Sequence, residues 1–157
     1  MPTQNNTPGV FKSMQLLHRA LLLGQTLFAM LAFYLVYSGK FEANLKNLDQ
    51  VLQLIAILFS VAGFFGGSKL FKNKILEIRE SAVSAKSKID AYRIAAIIQW
   101  ALLEGPSLFA IICFLITGNY AFLALSFALI LVFAILAPTK IKISILLNIK
   151  EDDIDRL

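Results

Sequence analysis

The 25 residues from Ile94 to Gly118 read IAAIIQWALLEGPSLFAIICFLITG, and a single charge, Glu104, interrupts them. A helix that crosses the hydrocarbon core of a bilayer needs about 20 mostly apolar residues, so this stretch is long enough to span. Counting inward from Ile94 at about 1.5 Å per residue places Glu104 roughly 15 Å deep, half of a core about 30 Å thick. A charged side chain at that depth is costly and marks a polar site, structural or functional. Two residues later Pro106 lacks a backbone N–H, which frees the carbonyl of Leu102 and permits a kink.

Working outward, three further stretches are uncharged: Ala20 to Tyr37, Val51 to Ser68, and Tyr120 to Ala137, the last ending at Pro138. With their margins, the predicted spans are 16–38, 50–70, 94–118 and 119–137. The whole chain agrees with them. Hydrophobic residues make up 58% and charged residues 16%, with a mean hydropathy of +0.73, against about half and about a quarter in soluble domains. Lipid must therefore act as the solvent for most of the polypeptide. The expected architecture is all-α: one transmembrane domain over 1–157, a four-helix bundle with a cytoplasmic loop at 71–93 and a C-terminal amphipathic tail at 138–157.

Basic residues orient it. Of the 15 Lys and Arg in the chain, all but Lys40 and Lys46 lie in the N-terminal flank, the second loop or the tail. The positive-inside rule then puts both termini in the cytoplasm, and the expected location is the inner (cell) membrane, crossed several times. The net charge of +5 belongs to these flanks, which meet anionic lipid headgroups, and it does not imply nucleic acid. Phe71 to Arg93 mixes apolar and charged residues without Gly or Pro, so it should extend spans two and three as a helical hairpin. After Pro138 the basic, apolar run Lys140 to Leu147 turns acidic at Glu151, Asp152, Asp153 and Asp155, as an interfacial helix would. The first nine residues, with two Pro and two Asn, are expected to be disordered.

An internal repeat is visible. Ala20 to Phe33 aligns without gaps on Ala101 to Phe114, with eight of fourteen positions identical, Gly24 on Gly105 and Thr26 on Ser107 among the matched pairs. This predicts two parallel copies of a helical hairpin about an axis along the membrane normal. Leu23 stands where the second copy has Glu104. Small residues spaced by four, which let membrane helices approach closely, nominate Gly24, Gly105, Gly63, Gly66 and Gly67 as packing positions, with Ala20, Ala101 and Ala62 as their partners.

Glu104, Ser107, Thr26 and Gln25 are the candidate ion-binding residues: together with the free Leu102 carbonyl they are expected to form a small polar cup beside the Pro106 kink. Two readings stay open. The carboxyl either binds a proton or monovalent cation, or it hydrogen-bonds across helices and fixes their packing. His18 and Arg19 read as anchors at the cytoplasmic boundary, and Gln53, Ser60 and Gln99 as glue between helices. One cysteine, Cys113, within an apolar run offers no disulfide framework and packs as a small hydrophobe. With one histidine and no cluster of His, Cys and Asp, no metal site, no cofactor and no catalytic residue is expected, and the chain does not read as an enzyme.

Gly63-Phe64-Phe65-Gly66-Gly67, the polar loop, and Ala101-Leu102-Leu103-Glu104 with Leu108-Phe109-Ala110-Ile111 together resemble the hairpin of the rotary ATPase proteolipid (c) subunits, in which a Gly-rich helix is followed by a helix bearing one midmembrane carboxylate. The resemblance covers spans two and three, and it implies an ion-binding role for Glu104 alone. The longer, more charged loop and Pro106 are departures from that pattern. The chain as a whole resembles small four-span bacterial inner-membrane proteins. The functional expectation is a non-enzymatic membrane scaffold or accessory subunit; the alternative is a proton- or cation-coupled permeation element using Glu104. Partners in either case are the lipid bilayer and a further membrane protein or a second copy of the chain.

Overall fold

A computed structural model of the chain describes residues 9–40, 48–151 and 154. The disorder expected of the first residues falls outside this set apart from Gly9, as do the loop charges Glu42 and Lys46 and the tail acids Asp152, Asp153 and Asp155. Five helices follow one another: α1 (Val10–Tyr37), α2 (Asp49–Glu80), α3 (Ala85–Thr117), α4 (Tyr120–Ile135) and α5 (Lys140–Leu147). There is no strand among the described residues. Apolar sequence explains this uniformity, because in lipid a lone segment can satisfy its backbone only as a helix. Three of the helices, α1, α2 and α3, are long and apolar enough to cross a membrane; α4 and α5, bent by 72° at their break, make a fourth if taken as one span.

The ends are set by local chemistry. Ser84 and Thr139 cap α3 and α5, their hydroxyls accepting from the backbone N–H of Ser87 and Lys142, which supplies donors left orphaned by the first turn with partners. Gly118 closes α3 with φ 72°, the left-handed conformation that costs glycine least, and Asn119 then caps α4 through the N–H of Ala121. Asn119 also donates its side-chain amide to Asp49, tying the α3–α4 turn to the start of α2.

Helix α3 is the centre. Half of its most apolar window is buried against other helices, compared with 11% for α1. It packs on α2, α4 and α1, whereas α1 and α2 scarcely touch. The closest approach is between α2 and α3 at Gly63. A methyl group there would overlap the Leu102 carbonyl oxygen and come within 2.9 Å of Pro106 Cγ. Leu102 carries the carbonyl that Pro106 leaves without a helical donor, so the Gly63 Cα–H takes the place a side chain would fill and supports that oxygen as a weak donor.

Two apolar clusters fill the ends. At the end where the chain starts and finishes, Phe11 and Met14 of α1 pack with Ile75 and Ile78 of α2, Ile89 and Tyr92 of α3, and Ile143, Leu147 and Ile154 of the tail. At the other end Ala32, Ala56, Ile111, Cys113, Phe114 and Phe122 form the second cluster. Cys113 is a packed hydrophobe there.

Three expectations change. The tail helix is not simply an interfacial one: Ile143 and Leu147 are fully buried against α2 and α3, while Ile141 and Ile145 face outward. The two predicted hairpins pack differently: α1 and α2 scarcely touch, α1 packing on α3 and α4 and α2 mainly on α3, whereas α3 and α4 pack directly. Gly24 and Gly66 face open space, whereas Gly63 and Gly67 meet α3 and Gly105 meets the Phe59 ring. Gly63→Ala should therefore lower thermal stability in detergent by about 1–3 kcal/mol, the usual cost of overpacking, and Gly66→Ala should not. Equal effects of the two would remove the close approach as the determinant of the α2–α3 pair.

Candidate functional site

The deepest polar groups are arranged in layers across α1, α3 and α4. The His18 ring stacks on Phe133 of α4 with centroids 4.6 Å apart and meets Trp100 of α3 edge-on at 4.9 Å. His18 Nε2 donates to the Phe133 carbonyl oxygen at 3.0 Å, and one turn earlier Gln15 donates to the carbonyl of Pro138 at 3.3 Å. Phe133 lies in the last turn of α4, where its carbonyl also accepts from the Leu136 N–H at 3.1 Å, and Pro138 lies in the turn after the helix. So side chains of α1 tie it to the end of α4 and the turn that follows. His18, predicted to be a boundary anchor, is in fact 2% exposed, and Trp100 beside it is 1% exposed.

Because α1 and α3 run parallel and α4 runs back, the same layer two turns further along contains Gln25, Ser107 and Ser126. All three are buried to 1% exposure or less. Ser126 returns its hydroxyl to the Leu123 carbonyl of its own helix. Both amide atoms of Gln25 and the Ser107 hydroxyl have no hydrogen-bond partner. A buried polar atom without a partner costs about 1–3 kcal/mol, so this layer is the least satisfied part of the core.

Glu104 is not in that layer. It is three residues from Ser107, which at 100° per residue turns it about 60° away on the helix. Leu102 and Pro106, the residues that meet Gly63, lie on the opposite side of α3. Glu104 is half-buried, at the flank of α3 turned away from α2, and no described residue gives it a hydrogen bond or an ion pair. Thr26 is elsewhere again. Its hydroxyl donates to the Leu22 carbonyl at 2.8 Å, and its side chain borders an apolar groove of about 590 Å³ between α1 and α4, shared with Phe33, Tyr120, Ser126 and Phe127.

The polar cup predicted from Glu104, Ser107, Thr26 and Gln25 is thus not assembled. Gln25 and Ser107 share the interior, Thr26 faces α4, and Glu104 faces out. Pro106 lies within a helix that is continuous from Ala85 to Thr117. Ser60, expected to bridge helices, bonds the Ala56 carbonyl of its own turn. Sequence reasoning missed His18 and Ser126 as core residues. For His18 a signal existed: it stands seven residues before Gln25 and four after Met14, on the one face of α1 that turns inward. Among the described residues no group of three or more His, Cys, Asp or Glu could hold a metal ion.

If the unpaired layer has only a packing role, apolar side chains should serve it at least as well. Ser107→Ala and Gln25→Leu are expected to leave thermal stability unchanged or to raise it by up to about 1–3 kcal/mol. A clear loss in either variant would show that these atoms hold a polar ligand in the membrane.

Comparison with protein-family models, with curated proteins and with solved structures finds no match, so what the protein does must be read from its own residues.

Proposed function

We propose that this chain is a non-enzymatic, multi-pass membrane scaffold or accessory subunit: a four-span bundle in the inner membrane, α4 with the turn after it being the fourth span and both termini in the cytoplasm. The observation that carries the reading is the position of Glu104. Lipid offers no hydrogen bonds, so an acid at the depth counted from the sequence must find its partner in protein or in a water-filled cavity. Nothing within the described chain supplies that partner, and the carboxyl stands at the outer flank of the central helix. An outward acid on a rigid helix is a docking point for another transmembrane segment.

The unpaired Gln25 and Ser107 favour a second reading, a proton- or monovalent-cation-coupled permeation element. Against it, these two face inward while Glu104 faces outward, and no hydrogen bond links them.

Flux decides between the two. Purified protein reconstituted into liposomes with an imposed proton or potassium gradient is expected to dissipate it no faster than empty vesicles, and Glu104→Gln should behave in the same way. Flux through the native chain that vanishes in Glu104→Gln, a side chain of like shape that cannot titrate, would overturn the scaffold reading.

A further inference from the structure

We infer that the groove between α2 and α5 is a binding site for one anionic phospholipid of the surrounding bilayer, with its phosphate held between Lys72 and Arg79 and part of an acyl chain on the groove floor. The site adds a ligand to the membrane-scaffold reading and rests on it.

The groove has a volume of about 260 Å³ and is lined by Phe71, Lys72, Ile75, Leu76 and Arg79 of α2 and by Leu146 of α5. Its apolar floor is fixed from behind. Ile75 is buried in one cluster with Ile143 and Leu147 of the tail helix, and Phe71 and Leu146 pack against that cluster. Phe71 also meets the Tyr92 ring of α3 edge-on at 5.7 Å. Lys72 and Arg79 are seven residues apart, about two turns and about 10.5 Å along one face of α2. Side chains on a helix lean toward its N-terminus, so Arg79 leans back toward Lys72. Lys88 donates to the Arg79 carbonyl at 3.1 Å and ties down that last turn. Among the described residues neither Lys72 nor Arg79 has an acidic partner, whereas Lys74, on the far side of the same helix, pairs with Glu77 at 2.8 Å. A cation in a last turn also complements the helix dipole, but that accounts for Arg79 alone.

Depth, size and charge select the occupant. Lys72 is four residues past Ser68, where the uncharged stretch of α2 ends. That is about 6 Å, inside a headgroup layer about 5–8 Å thick on each side of the hydrocarbon core, so lipid phosphates lie at this level. Leu76 on the groove is exposed, and Ile141 and Ile145 give α5 an apolar outer edge; such a surface suits a lipid chain and offers nothing to a water-soluble anion. A helix with its side chains is about 10–12 Å across, too wide for a groove of this volume. The volume falls just under the range of about 300–1,000 Å³ for small-molecule pockets, which fits part of a lipid. Two unpaired cations call for a net negative headgroup, whereas a zwitterionic lipid brings its own cation. Of the two, Arg79 offers the fork that grips a phosphate with two parallel hydrogen bonds, and Lys72 adds a point charge.

Native mass spectrometry of the full-length chain, released from micelles holding equal amounts of phosphatidylglycerol and phosphatidylcholine, tests this. One phosphatidylglycerol should stay bound per chain where phosphatidylcholine does not. Lys72→Gln with Arg79→Gln should weaken that binding by about thirtyfold, a loss of about 2 kcal/mol for two cations at an anionic surface. Lys74→Gln with Lys86→Gln removes the same charge from exposed positions outside the groove and should leave binding close to the native level. Leu76→Asn should weaken it while thermal stability in detergent stays unchanged, and inorganic phosphate at the lipid's concentration should not compete. Equal loss in the two charge pairs, equal retention of the two lipids, indifference to Leu76→Asn, or displacement by inorganic phosphate would each overturn the inference. None of these outcomes bears on ion flux, so the lipid site can fail while the scaffold reading stands.

Discussion

One carbonyl oxygen organises the long apolar helices of this molecule. Pro106 has no N–H to give Leu102, and in a bilayer there is no water to make good the loss; an unsatisfied backbone group there costs several kcal/mol. The sequence of α2 places Gly63 against that oxygen, where any side chain would clash. The absent Cβ both admits the neighbouring helix and lets its Cα–H point at the carbonyl. This pairing makes α2 and α3 a single unit and commits the α2 side of α3 to it. The remaining buried face of α3 is then left for α4 and α1.

The arrangement of the other helices follows from that allocation. α4 returns directly from Gly118 and Asn119, so it packs on α3 by connectivity. It ends at Ile135, and α1 reaches its last turn and the turn after it, His18 bonding the Phe133 carbonyl and Gln15 that of Pro138, which gives a histidine and a glutamine partners on the inner face of an otherwise apolar helix. In lipid, packing and hydrogen bonds select partners, since hydrocarbon is as apolar as leucine. The polar residues of α1 are thus its address. They seat it against α3 and α4 and leave Leu16, Leu23, Leu27 and Leu31 exposed.

Much of this was legible in the chain, and the reason is physical. Hydropathy and charge report on solvent, so the extent of the helices and the long charged continuation of α2 and α3 beyond their apolar parts follow from counting residues. The choice of neighbours does not, because it depends on which small face meets which. Gly24, Gly63 and Gly66 look alike as sequence, yet only Gly63 closes on a backbone. The polar cup failed for a related reason: Glu104, Ser107, Gln25 and Thr26 are close in depth but point in different directions. His18 was hidden by its position beside Arg19, where a boundary anchor is the usual meaning. Its role needed Phe133, a residue far along the chain whose carbonyl no pattern singles out.

The repeat supplies the last step of the argument about Glu104. Position 23 of α1 corresponds to position 104 of α3, and it carries leucine. Leu23 is 59% exposed, so the matched position faces outward in the first helix, whereas Glu104 is half-buried at the flank of the third. An outward site in a membrane helix is satisfied by leucine at no cost, whereas an acid there costs several kcal/mol unless something completes it. The fold of a single chain therefore gains nothing from the glutamate: α2 approaches from the other side, and the interior layer of Gln25 and Ser107 does not reach it.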